Sequence, residues 1–191
     1  MNRAHFVLAL ILTLLLLPAA IAAAQDEPGI RGQMAPSWTI DNWYNLETGV
    51  EEIDISDFRG KVVYLFFFQH RCPACHKHGF PTLKAVNERF SDADDVVFVA
   101  IQTTWHGVSA DTADKALPTV QKYGLDIPVG HAGAAVKGGS LGIMDAYRTP
   151  GTPWTVIIDR EGVVQFDFWG IDVADAINLV DLLRKNSTVD R

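Results

Sequence analysis

The chain has 191 residues, 48% of them hydrophobic and 20% charged, with a formal net charge of −7. That apolar content excludes a disordered chain, and a cysteine count of two excludes a disulfide-dense mini-protein. A single long apolar run excludes a multi-pass membrane protein, and the acidic balance argues against a nonspecific nucleic-acid partner, which needs a basic surface.

The apolar run opens the chain, where 19 of the first 24 residues are apolar. Arg3 supplies a positive start, and Phe6 to Leu17 are apolar except for Thr13. Pro18 ends the run, and Ala22-Ala23-Ala24 offers small residues where a signal peptidase reads them. Residues 1–24 are therefore expected to be a signal peptide cleaved after Ala24, placing a bacterial protein in the periplasm. The alternative is an uncleaved membrane anchor, for which the apolar core is short against the ~20 residues of a span. No cysteine lies near the cleavage region to carry a lipid. Cleavage leaves 167 residues with a net charge of −8, enough for one domain with a core. Residues 25–36 read as a leader or linker, and residues 37–187 as the folded domain.

Trp38–Ile40 and Glu52–Ile55 flank the turn-rich Asn45–Gly49 and are expected to pair as an N-terminal β-hairpin. Lys61–Phe68 is a nearly unbroken apolar run, rich in β-branched and aromatic residues, which predicts a central strand covered on two sides. A helix is predicted over Cys72–Phe90, with Pro81 as a kink. Val96–Ile101 predicts a second buried strand, and Asp111–Tyr123 a second helix. Residues 124–147 carry Gly130, Gly133, Gly138 and Gly139 and read as a central insertion. Trp154–Ile158 and Val163–Phe168 predict two strands joined by the turn at Asp159–Gly162. In the last strand Val164, Phe166 and Phe168 fall on one face, and Gln165 and Asp167 on a wet one. Asp172–Lys185 predicts a closing helix with Asp172 as its N-cap. Strand–helix–strand order argues an α/β fold with a largely parallel sheet and an antiparallel edge.

The only cysteines are Cys72 and Cys75, in the run Gln69-His70-Arg71-Cys72-Pro73-Ala74-Cys75-His76. A bridge between them closes a tiny ring and restricts little denatured-chain entropy, so redox chemistry explains the pair better than stapling. They fall where a buried strand ends and a helix begins, and there unpaired N–H groups and the helix macrodipole stabilise an anion. Cys72 is the expected nucleophile with a lowered pKa, and Cys75, one turn in, the buried resolving thiol. Arg71 adds a fixed charge beside Cys72, and His76 adds another when protonated. The exchange runs through a mixed disulfide and needs no cofactor beyond the pair itself. Downstream, Thr149-Pro150-Gly151-Thr152-Pro153-Trp154 sets Pro153 immediately before an apolar strand, as either a trans turn proline or a cis one.

The strand followed by CPAC, then GTPW, then WTVIIDREGVVQFDF, resembles the thioredoxin-like redoxins, most of all the TlpA/ResA-type thiol-disulfide oxidoreductases of the bacterial envelope. The resemblance covers most of residues 36–185. It implies a thioredoxin-like fold, a mixed central sheet flanked by helices, and exchange carried out by Cys72 and Cys75. It implies a cis Pro153 facing the pair and a Thr152 backbone that receives an extended protein substrate. Trp154, read from its position alone, either forms part of a substrate groove or packs in the core. It also implies a membrane-bound electron partner and leans toward reducing exported cysteine pairs, as in cytochrome c maturation. Arg71 and the helix end lean the other way, because a stabilised thiolate makes the disulfide a better oxidant.

Several residues depart from the family pattern. Arg71 replaces the usual tryptophan. Pro81 lies six residues after Cys75 rather than five, which predicts an extra residue or a local bulge. Phe66 stands where thioredoxin has a buried aspartate, and His78 where ResA-like members have a glutamate. His78 or His76 is therefore the candidate proton acceptor for Cys75. Pro73 and Ala74, between the cysteines, are expected to tune the pair.

Two other functional classes use the same residues. CPACH also matches the c-type haem pattern CxxCH, which makes the chain an electron carrier with His76 as axial ligand and Met34 or Met144 opposite. His70, Cys72, Cys75, His76 and His78 are a candidate copper or zinc set, although Sco-type copper proteins use CxxxC. The peroxiredoxin pattern of Pro and Thr ahead of the cysteine is missing from Phe67–Arg71. Trp105, His106 and His131 follow predicted strand ends and either flank the site or are ordinary loop residues.

Overall fold

A computed structural model describes residues 27–104, 111–133 and 142–186. The signal segment, its cleavage point at Ala24, and Trp105 and His106 lie outside the described residues. Six strands, β1 (Asn42–Tyr44), β2 (Val62–Phe68), β3 (Val96–Thr103), β4 (Val129–Ala132), β5 (Trp154–Ile158) and β6 (Val164–Phe168), form one sheet in the order β1-β4-β3-β2-β5-β6. The helices are α1 (Phe80–Arg89), α2 (Ala113–Gln121), α3 (Ile143–Ala146) and α4 (Val173–Lys185). Strands β2, β3 and β4 run parallel, while β5 is antiparallel to β2, β6 to β5 and β1 to β4. Among the described residues no helix is long and apolar enough to cross a membrane.

Every residue of β2 is buried, and its side chains divide between the two faces of the sheet. Val62, Tyr64, Phe66 and Phe68 enter a core completed by α1, α2 and α4 through Phe80, Leu83, Val86, Val120, Ala176 and Val180. Val63, Leu65 and Phe67 enter a second core with Trp38, Ile55, Tyr147, Trp154 and Val156. A central strand covered on both sides is thus what the apolar run produces. The second cover is made of short pieces and not of long helices.

The expected N-terminal hairpin does not form. Its second arm is irregular over Glu52–Asp54 and runs into a 3₁₀ turn at Ile55–Phe58, where Asp54 and Asp57 cap each other's backbone amides and Asp54 Oδ1 also accepts the Trp38 N–H at 2.7 Å. Side chains that capture backbone N–H groups take them away from a strand ladder. The edge strand β1 pairs with β4, Trp43 opposite Gly130. A Cβ on Gly130 would lie 3.2 Å from both Ile40 and Trp43, so the missing side chain admits those two residues. The region read as an insertion therefore supplies a sheet strand, β4, as well as α3.

Residues 29–35, read as leader or linker, are docked. Gly32 N–H donates to the Val164 carbonyl and Val164 N–H to the Gln33 carbonyl, and Ile30 is 4% exposed. The anchor is Asp167, whose carboxylate accepts the Ile30 N–H and the Trp154 Nε1–H. Alternation along β6 predicts a wet Asp167, yet it is buried while Phe168 is half exposed. The pairing shifts register between Ile157 and Ile158, and the odd residue turns Asp167 to the face that Val164 occupies. The closing helix starts as expected, with Asp172 Oδ1 accepting the Ala174 N–H.

Burial pushes the Asp167 carboxyl above its ordinary value, against the pull of its two N–H donors. A carboxyl raised in the folded state leaves stability intact at low pH and takes it away as pH rises through the folded pKa. Urea midpoints measured from pH 4 to 8 are expected to fall with pH from this group. Asp167→Asn should be less stable overall, since one donor loses its acceptor, but flatter across that range. Equal slopes in the two proteins would show that Asp167 does not titrate there.

Candidate active site: the Cys72–Cys75 pair

The chain leaves β2 at Phe68 and turns through Gln69–Cys72, closed by Cys72 N–H to the Gln69 carbonyl at 3.1 Å. The Cys72 carbonyl then accepts the His76 N–H, which makes Cys72 the N-cap and Pro73 the first helical residue. Cys72 and Cys75 form a disulfide with Cα atoms 5.2 Å apart. Cys75 N–H points at Cys72 Sγ at 3.1 Å, so the cap position supplies a donor to that sulfur. Cys72 is partly exposed while Cys75 is fully buried among Phe66, Phe68 and Phe80. That is the asymmetry expected of an attacking and a resolving sulfur. Arg71, Pro73 and Ala74 are exposed around it.

The Thr152–Pro153 bond is cis, and Cys72 Sγ lies 3.5 Å from the Thr152 carbonyl oxygen. Thr152 Oγ1 donates to Gln69 Oε1 at 3.2 Å and fastens the proline loop to the turn before Cys72. Trp154 does not line a groove. Its side chain is fully buried, bonded to Asp167 and packed on Phe168 and Trp169.

The bulge expected from the spacing of Pro81 is a π turn over Cys75–Gly79, in which Phe80 N–H reaches the Cys75 carbonyl five residues back. Pro81 has no N–H and its ring crowds the carbonyl four residues earlier, and a widened turn relieves both. The π turn also brings Gly79 against the sheet. A Cβ there would sit 2.5 Å from Phe66 Cζ and 3.2 Å from Pro153 Cβ. Phe66, the aspartate replacement, thus fills the space beneath the pair.

The histidines divide. His78 is exposed on the helix. His76 Nε2–H donates to the His70 carbonyl and its Nδ1 faces the Tyr123 hydroxyl, each at 2.6 Å, so both ring nitrogens are engaged. Neither is hydrogen-bonded to Cys75. His70 pairs with Asp111 at 2.8 Å. Among the described residues no group of three or more His, Cys, Asp or Glu side chains is placed to hold a metal ion. His131 is buried on β4, where Gln102 Nε2–H donates to its Nδ1 and burial pushes its pKa down against Asp41 and Asp111. Gln69, Gly79, Asp111 and Tyr123 were not legible as site residues. Asp111 meets a partner 41 residues away, Tyr123 one 47 away and Gln69 one 83 away, while Gly79 meets Phe66 and Pro153, and no local pattern marks them.

Gly79→Ala tests the packing under the pair. In an ordinary helix this change stabilises by up to ~1 kcal/mol. Here overpacking against Phe66 is expected to cost about 1–3 kcal/mol. A lower urea midpoint is the expected result, and a raised one would show that Phe66 has room to move.

The AhpC/TSA family model matches residues 31–167. A crystal structure of a thioredoxin-like superfamily protein is 27% identical, with TM-score 0.71, over 81% of this chain and 97% of that one. A thiol-disulfide isomerase from Corynebacterium glutamicum is 25% identical, with TM-score 0.65, over 80% and 98%. A secreted Mycobacterium tuberculosis disulfide oxidoreductase homologous to E. coli DsbE is 20% identical, with TM-score 0.53, over 78% and 96%, a likeness of fold. No curated protein matches the chain. The fold is thioredoxin-like, and the chain belongs to the AhpC/TSA family.

Proposed function

We propose that this protein is an envelope thiol-disulfide oxidoreductase that reduces disulfides in protein substrates. One observation carries the reading: the sulfur of a partly exposed Cys72, bonded to a buried Cys75, lies 3.5 Å from the carbonyl before cis-Pro153. In the reduced protein the Cys75 amide and the helix start face a Cys72 thiolate. That thiolate attacks one sulfur of the substrate disulfide. The substrate S–S bond breaks, its second sulfur leaves as a thiolate and takes up a proton, and a mixed disulfide remains. Cys75, having lost its own proton, attacks Cys72 Sγ. The internal disulfide re-forms, the substrate dithiol departs, and two electrons have moved from protein to substrate.

The Thr152 backbone supports protein substrates, because its carbonyl beside the sulfur can accept an N–H of an extended segment. The apolar, Ala-terminated residues 1–24 support export, and the secreted relative is consistent with it. An exported reductase needs its dithiol restored, which supports a membrane-bound electron donor. His76 is tied at both ring nitrogens and Cys72 is bonded to Cys75, so the haem and metal readings have no specific contact in their favour.

Cys75→Ser expressed in the native cell is expected to accumulate mixed disulfides with substrate proteins, and Cys72→Ser to capture none. Equal capture by the two variants would remove Cys72 as nucleophile. Direction is tested by the reduction potential of the pair. A value nearer thioredoxin's about −270 mV supports the reductase, and one near DsbA's about −120 mV makes the protein an oxidant.

A further inference from the structure

Asp111 is a carboxylate with only 5% of its side chain exposed, and the exchange steps above make no use of it. Its Oδ1 accepts both the His70 backbone N–H at 2.9 Å and His70 Nδ1–H at 2.8 Å. Donation through Nδ1 leaves Nε2 as the nitrogen with the lone pair. The His70 carbonyl is held too, by His76 Nε2–H. His70 is thus fixed at amide, ring and carbonyl, yet its side chain keeps 17% exposure and can exchange protons with solvent. Ending a strand does not require a buried carboxylate, whose desolvation is unfavourable unless its charge has a use or a partner.

His70 also shares a backbone turn with the nucleophile. His70 and Cys72 belong to one hydrogen-bonded turn. Two residues of chain separate their Cα atoms by at most about 7 Å. Asp111 is buried, and salt screens a buried charge much less than an exposed one, so charge on the pair acts on Cys72 across that turn. The pair carries −1 when His70 is neutral and zero when it is protonated.

We propose that Asp111 and His70 are positioning residues whose combined charge sets how readily Cys72 gives up its proton. With His70 protonated, the Asp111 charge is cancelled and the thiol proton leaves to solvent more easily. With His70 neutral, an uncompensated carboxylate holds the proton on sulfur. Other groups face the pair: Arg71 in the same turn, a fixed guanidinium; His76 and Tyr123 across the His70 carbonyl; and, beside Asp111, His131 on β4, which Asp41 also faces. This inference rests on the reading of Cys72 as the nucleophile.

The test follows iodoacetamide alkylation of Cys72 against pH in a Cys75→Ser background, with folding checked by circular dichroism. The quantity read is the rate at pH 6 relative to pH 9. His70→Asn keeps a donor to Asp111 but loses the cation, and the ratio is expected to fall about three- to tenfold, the scale of up to one pKa unit. Asp111→Asn removes the anion, and the ratio is expected to rise. Opposite signs identify a charge effect. Ratios that fall together in both variants mark a structural strap and overturn the proposal, as do unchanged ratios. If Cys72 in the parent alkylates no faster than free cysteine at pH 7, the nucleophile assignment fails as well.

Discussion

The arrangement depends on where one helix starts. Seven buried residues of β2 deliver the chain to the end of the sheet, one turn follows, and Cys72 becomes the N-cap. A helix start holds N–H groups that have no carbonyl partner, and one of them, from Cys75, points at the Cys72 sulfur. A serine or aspartate at that place accepts such a bond with oxygen. Sulfur there accepts it as a poised redox atom, and the helix macrodipole adds to the same preference for negative charge.

Beneath the pair the packing admits little change. Cys75 is enclosed by Phe66, Phe68 and Phe80, whose rings meet at about right angles on Phe80, with centroids 5.1 and 5.0 Å away. The π turn over Cys75–Gly79 inserts one residue relative to a regular helix, which lets Pro81 follow and brings Gly79 under Phe66 and cis-Pro153. Helix, strand and proline loop therefore share one contact, and a change in any of them reaches the sulfurs. Family membership and the thioredoxin-like fold do not settle chemistry by themselves, since one fold hosts many activities. The activity proposed here rests on the sulfur pair and on the carbonyl beside it.

Polar groups from distant parts of the chain complete the site. Gln69 ties the turn to Thr152, Asp111 ties it to the start of α2, and Tyr123 reaches it through His76. On the opposite face of the sheet Asp167 does comparable work, binding the N-terminal segment at Ile30 to β5 at Trp154. In both places a carboxylate with little solvent joins elements that hydrophobic contact alone would leave free to slide.

The residue pattern by itself determined the buried strands β2, β3 and β5, the closing helix with its Asp172 cap and the Cys72–Cys75 motif at a strand–helix junction. These are legible because period, apolar runs and caps act between near neighbours. The tertiary structure alone decided that β1 pairs with β4 rather than in a hairpin, that a glycine-bearing stretch supplies a strand, and that residues 29–35 dock on β6. It also turned Asp167 inward through a single register shift and placed Asp111, Tyr123 and Gln69 around the pair. Each of those outcomes is a contact between residues far apart in the chain. Such contacts form only after the sheet has set distances and faces, and no local spacing encodes which partner arrives.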